Sequence, residues 1–190
     1  MSDKQYRSFG EKLAVHTAPT LLGIKCGSMV SLSCKEHDIT ENMRIFNERA
    51  GSRGLKIKSL GMVNCRSLLL IYSEKLLGAR LSDSAVRRVL SEYGYSYELG
   101  MEDCIEHLSE RIAEHSSFPH EIGVFLGYPL EDIKGFIENK GANYKLCGAW
   151  KVYGSEETAR RAFTNYEKCR KFLCNKLNQG NDIYQALKIS

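Results

Sequence analysis

His120 and Glu121 stand side by side behind Pro119, in a stretch (residues 116–154) that holds two of the chain's three prolines and its only tryptophan. Pro119 suits the first position of a helix, because it lacks the N–H that would be orphaned there. His120 at the second position faces the positive end of the helix dipole. That disfavours imidazolium and predicts a neutral ring near neutral pH. A neutral imidazole can polarise a ligand oxygen, take up a proton or ligate a metal. Glu121 falls at the third position, where its carboxylate can reach back to the capping N–H, so capping competes with acid–base chemistry for it. For His120 the competing reading is a packed side chain that satisfies a carbonyl.

Two further constellations carry polar groups. "TLLGIKCGSM" sets Thr20, Lys25 and Ser28 beside Gly23 and Gly27, and glycine-flanked amides with a lysine can form an anion-binding nest. Its spacing is not that of the phosphate loop of nucleotide hydrolases, and a plain turn before a strand is the simpler reading of it. His16 precedes this loop and is a second candidate for proton transfer. In "WKVY", strand alternation puts Trp150 and Val152 on one side, Lys151 and Tyr153 on the other. Lys151 and Tyr153 could hold a carboxylate or phosphate, while Trp150 packs in the core or floors a pocket.

The seven cysteines include no CxxC pair. Cys169 and Cys174 lie five apart on a predicted helix, so their directions diverge by about 140°. Cys26 and Cys34 are too far apart along a strand to share one ion. A thiol-bound metal or iron–sulfur cluster would have to be assembled across elements, for instance Cys147 with Cys169 and a histidine; otherwise the thiols are buried side chains.

Residues 119–140 also have the skeleton of a helix-turn-helix. Gly123 would stand at the helix crossing, Gly127 at the turn, and Ile133 and Phe136 on the buried face of the second helix. A reader of DNA needs arginine or lysine at phosphates and base edges. The second helix, "LEDIKGFIENKG", has no arginine and is net negative, so nucleic acid is a disfavoured partner. The basic run Arg160, Arg161, Lys168, Arg170, Lys171 and Lys176 reads as the solvated face of the last helix.

The elements that must position these groups follow from periodicity and punctuation. A first helix runs to about His16 and ends before Pro19. A strand near residues 28–34 follows, then a helix capped by Asp38 or Thr40 that stops at Gly51 or Gly54. "LKIKSLGMV" and "CRSLLLIYS" are two strands joined tightly around Asn64. Helices are predicted over residues 74–93, with a break near Ser82, then 101–115 and 119–139. The "NYKLCGAWKVYG" stretch returns to strand, a long helix covers residues 155–178, and a short one closes the chain. The reading is α+β: a small, mainly antiparallel sheet of about four strands, split β-α-β in type, with helices from about 74 to 140 inserted before the last strand. One domain of 190 residues suffices for a core without disulfides.

Composition bounds the function. The net charge of +4, from 27 basic and 23 acidic residues, is mildly basic, which suits an anionic ligand and falls short of a nucleic-acid-binding field. No apolar run approaches the roughly 20 residues that span a bilayer. The polar N-terminus lacks a signal-peptide core, so the cytoplasm is the expected compartment and no membrane partner is expected.

Three blocks together, "HTAPTLLGIKCGSM", "FPHEIGVFLGYPLEDIKGFIENKG" and "WKVYGSEETARRAFTNYEKC", resemble an uncharacterised bacterial family, domain of unknown function 3793, found mostly in anaerobic Firmicutes. The resemblance covers nearly the whole chain and implies a single-domain cytoplasmic protein. It brings no activity, cofactor or catalytic residue. In that family a cysteine often stands where this chain has Thr17, and further cysteines often precede the Trp-Lys-Val-Tyr block. Here only Cys147 is near that block, which weakens a metal site.

The expectation is a protein that binds a small anionic molecule or cofactor. Its pocket would lie between the Gly-Lys loop, the start of the His120 helix and the Trp-Lys-Val-Tyr strand. His120 would donate or accept a hydrogen bond or proton, with Glu121 and His16 as further acid–base candidates. Lys25, Ser28, Lys151 and Tyr153 would hold the anion against Trp150. A helix-turn-helix regulator and a thiol-based metal protein are the readings from other classes. The pattern specifies binding; it does not specify a reaction.

Overall fold

A computed structural model of the chain describes residues 3–114 and 118–189. Strands β1 (Gly27–Ser33), β2 (Leu55–Val63) and β3 (Arg66–Ser73) form a sheet in the order β1-β3-β2. The central β3 is antiparallel to both neighbours, so β1 and β2 run parallel on either side of it. Helix α2 (Ile39–Ala50) connects those two outer strands, completing a split β-α-β unit. Asp38 starts α2 by accepting the Glu41 N–H at 3.1 Å. Asn64 and Cys65, at φ 50° and 59°, make the two-residue turn between β2 and β3, the left-handed pair that matches strand twist.

The central strand explains the layering. Leu69 and Ile71 point to one face and Leu70 and Tyr72 to the other. Helices cover both faces, which is why the strand reads as an unbroken apolar run. On the first face lie α1 (Asp3–Leu21), α2, α8 (Glu156–Asn178) and α9 (Ile183–Leu187), around Leu13, Phe46, Leu173 and Tyr184. On the second lie α3 (Glu74–Leu81), α4 (Ser84–Ser91), α5 (Met101–Glu114), α6 (Ile122–Phe125) and α7 (Leu130–Glu138), around Leu77, Ile105, Leu108 and Phe125. Each such side chain contributes about 1.5–3 kcal/mol by leaving water. Among the described residues no helix is long and apolar enough to cross a membrane.

Two elements differ from the sequence reading. The first helix continues through Pro19 to Leu21. A proline in the last turn removes only one ladder bond, and the burial of Ala14, Ala18 and Leu21 holds the turn in place. The second difference is the late strand, which does not join the sheet. It forms its own short hairpin, β4 (Leu146–Cys147) with β5 (Lys151–Val152), so the fold is α+β with three sheet strands plus a two-stranded ribbon. Trp150 and Val152 alternate inward as predicted, but they bury against Ala159 of α8 in a third small cluster. The predicted helix over 101–115 is seen to Glu114, and His115 lies outside the described residues.

Candidate functional site

The corner between α6 and α7 and the β4–β5 hairpin face one another. Gly127, at φ +68°, takes the left-handed conformation that stops α6, and a side chain there would meet the Cys26 sulfur at 2.9 Å. On α7, Gly135 lets the Tyr153 ring approach to 2.5 Å of where a Cβ would stand, which draws the hairpin onto the helix.

Asp132 fastens that contact. Its side chain is buried, and its carboxylate accepts the Trp150 indole N–H at 2.6 Å and the backbone N–H groups of Tyr153 and Gly154 at 2.7 and 2.8 Å. Three donors satisfy a buried charge and fix the indole. Local sequence shows Asp132 only as one of two acids in the first turn of a helix. Its partners, some 20 residues further on, were the missing signal.

Between corner and hairpin lies a cleft of about 320 Å³. Its walls are Phe118, Tyr128, Ile133, Phe136 and Trp150. Tyr128 stacks on Trp150 with centroids 5.2 Å apart and planes inclined by 28°. The Tyr128 hydroxyl donates to the Ala149 carbonyl at 3.2 Å, a second tie from corner to hairpin. His120 is exposed at the cleft with its ring edge-on to Phe136 at 5.0 Å. Lys151 also lines the cleft. Its Nζ donates to the Gly141 carbonyl at 2.6 Å and lies over the rings of Tyr144 and Phe136, at 5.0 and 5.7 Å. An ammonium carries three donors, so two are not used by that hydrogen bond.

His120, Trp150 and Lys151 thus line one cleft, and the other predicted residues are placed elsewhere. Lys25 is one ring away: its Nζ lies 5.2 Å from the Tyr128 centroid and 5.6 Å from that of Tyr166, and burial pushes its pKa down to about 8. Ser28 is buried and shares a hydrogen bond with Thr20 at 2.8 Å, which closes β1 against α1, so the Gly-Lys loop offers no anion nest through it. Tyr153 spends its hydroxyl on the Ala142 carbonyl at 3.0 Å and its backbone N–H on Asp132. His16 is exposed on α1, outside the cleft lining; its pKa is lowered by partial burial and by the charges of Lys12 and Arg170.

Glu121 departs most from its predicted role. Helix α6 begins at Ile122, so Pro119 and His120 precede it rather than forming its first turn. Glu121 makes no cap bond; it is fully buried and paired with Arg111 of α5. That pair anchors the His120 loop to α5. The second carboxylate oxygen, Oε2, has no hydrogen-bond partner among the described residues.

The thiol site built on Cys147 and Cys169 is not assembled. Cys147 is exposed on β4, and Cys169 is buried on α8, where burial raises its pKa. Among the described residues no three His, Cys, Asp or Glu side chains are grouped closely enough to hold a metal. As a helix-turn-helix the corner is short: α6 is a single turn, and α7 buries Asp132, Ile133 and Gly135 while exposing Glu131, Lys134 and Glu138. That exposed face is net negative.

A family model described as "Protein of unknown function (DUF3793)" matches residues 13–187. No curated protein and no solved structure matches the chain.

Proposed function

For a chain that belongs to the family of domain of unknown function 3793, we propose that the cleft between the α6–α7 corner and the β4–β5 hairpin binds a small molecule with a flat apolar body and one anionic group. The observation that carries this reading is the Lys151 ammonium in a cleft walled mainly by Trp150, Tyr128 and Phe136, whose lining carboxylate, Asp132, is already taken up by three N–H donors. Its size, about 320 Å³, falls in the range of small-molecule sites. Apolar concavities of that kind are costly to leave open to water, and a few placed polar groups among aromatic walls give orientation.

In this reading a planar body lies against Trp150 and Phe136, gaining dispersion and apolar burial. The anion meets the two remaining donors of Lys151. His120 adds a hydrogen bond, and Asp132 acts through Trp150 as a positioning residue. The proposed setting is the cytoplasm, where unbridged thiols such as the seven free cysteines persist.

Trp150 makes the test direct, because it is the only indole in the chain and lies in the site. Titration with 1-anilinonaphthalene-8-sulfonate, an anionic aromatic probe, should quench Trp150 fluorescence saturably. A linear, non-saturating response would remove the reading.

A further inference from the structure

Lys25 stands in aromatic surroundings without an acid. Its backbone N–H donates to the Pro19 carbonyl at 3.1 Å, which fixes it just past α1. Its stem runs beside Gly127, with Cγ 3.8 Å from where a Cβ would stand there. Its Nζ lies 5.2 Å from the ring centroid of Tyr128 on the corner and 5.6 Å from that of Tyr166 on α8. Among the described residues no carboxylate pairs with this ammonium, and no acceptor takes a hydrogen bond from it. Other partly buried cations are matched: Arg111 pairs with Glu121, Lys58 with Glu106, and Lys151 donates to the Gly141 carbonyl. Burial pushes the pKa of Lys25 down to about 8. The groups facing it are uncharged near neutral pH, because burial raises the Cys26 thiol and the Tyr128 and Tyr166 phenols. Lys25 is nonetheless only partly buried, and its Nζ is not among the unpartnered atoms closed off from solvent. A desolvated amine within reach of small solutes has the environment of a nucleophilic lysine.

We propose that Lys25 is a covalent attachment site for a small uncharged aldehyde, which condenses with its amine beside the Tyr128 and Tyr166 rings. Aromatic rings present negative faces, which suit an uncharged body and disfavour an anion. The nitrogen lone pair forms the C–N bond while the carbonyl π pair moves to oxygen. The resulting carbinolamine loses water: the former carbonyl oxygen leaves with both amine hydrogens, and a C=N bond remains. No oxidant or reductant takes part. The attack needs the neutral amine. At pH 7 a pKa of about 8 leaves roughly one amine in ten neutral, against about three in ten thousand at the ordinary 10.5. This goes beyond the reading of the cleft: Tyr128 belongs to both places, but the aldehyde needs neither Lys151 nor an anionic group.

The test labels the full, folded chain at pH 7 with a limiting amount of propanal and cyanoborohydride, which reduces the imine to a stable propylamine. Peptide mapping by mass spectrometry reads each lysine separately. It also keeps Lys25 apart from the chain's α-amino group, which titrates at about 7.7–8.0. Lys25 is expected to gain the propyl group about ten-fold or more faster than the exposed Lys140, the lower basicity of a desolvated amine offsetting part of its larger neutral fraction. In the chain unfolded by guanidinium the two rates should become equal, which ties the difference to the fold. A Lys25 rate no greater than that of Lys140 in the folded chain, or a preference that persists after unfolding, overturns the proposal.

Discussion

Trp150 donates its indole N–H to Asp132 at 2.6 Å, and through that bond the hairpin and α7 hold a common cleft between them. The same carboxylate takes the N–H groups of Tyr153 and Gly154, so a single side chain organises an aromatic wall, a strand end and the approach to α8.

Asp132→Ala should therefore cost about 2–4 kcal/mol, since it orphans three donors at a buried position. Asp132→Asn is the sharper variant. Its amide can still accept the two backbone N–H groups, yet it turns an NH₂ towards the indole N–H. Denaturant unfolding should rank wild type above Asn and Asn above Ala. Trp150 emission should shift to the red in both variants as the ring loses its fixed place.

The Glu121–Arg111 pair makes a second prediction. Removing one partner of a buried pair strands a charge, so Arg111→Met should destabilise by about 3–5 kcal/mol. Replacing both, as Glu121→Leu with Arg111→Met, should recover most of that loss, because the carboxylate also carries an oxygen without a partner. A double-mutant cycle measured by chemical denaturation reads the coupling. A double variant no more stable than the single one would contradict the buried-charge account.

Lys25 gives a pH dependence. Burial lowers its pKa from 10.5 to about 8, so between those values the unfolded chain holds more protons than the folded one. Stability must then rise with pH across that window, and below about pH 8 the charged amine carries its full desolvation cost. Tyrosines and thiols titrate there too, so the quantity to measure is the difference between wild type and Lys25→Met. At pH 7 the variant should be the more stable by about 1–3 kcal/mol, and the gap should shrink towards pH 10. A gap that does not change with pH would contradict the burial of this amine.

What the sequence made legible was mostly local. Asp38 caps α2 as read, the helix after β3 breaks near Ser82, and the last helix starts by Ser155; the structure adds that Asp83 and Ser155 cap the helices that follow them. The alternation of Trp150 and Val152 was equally readable. What escaped was decided by distant partners. Pro19 stays helical because its neighbours are buried, and Glu121 gives up its cap for Arg111. The "WKVY" strand prefers α7 and α8 to the edge of the sheet. Ser28 has the right chemistry for an anion but meets Thr20 first. Of the predicted site residues, His120 on the prolines' corner and Trp150 and Lys151 on the tryptophan's strand line one cleft; Asp132, which joins the two elements, looked like an ordinary helix-start acid.

The measurement that bears most directly on the proposed site compares two probes in wild type and Lys151→Ala by Trp150 quenching. The anionic probe is 1-anilinonaphthalene-8-sulfonate, and its neutral counterpart, N-phenyl-1-naphthylamine, lacks only the sulfonate. The account predicts that Lys151→Ala weakens the anionic probe about ten-fold, equivalent to about 1.4 kcal/mol, and leaves the neutral probe unchanged. Equal weakening of both probes, or of neither, would contradict an anion held by Lys151 beside Trp150.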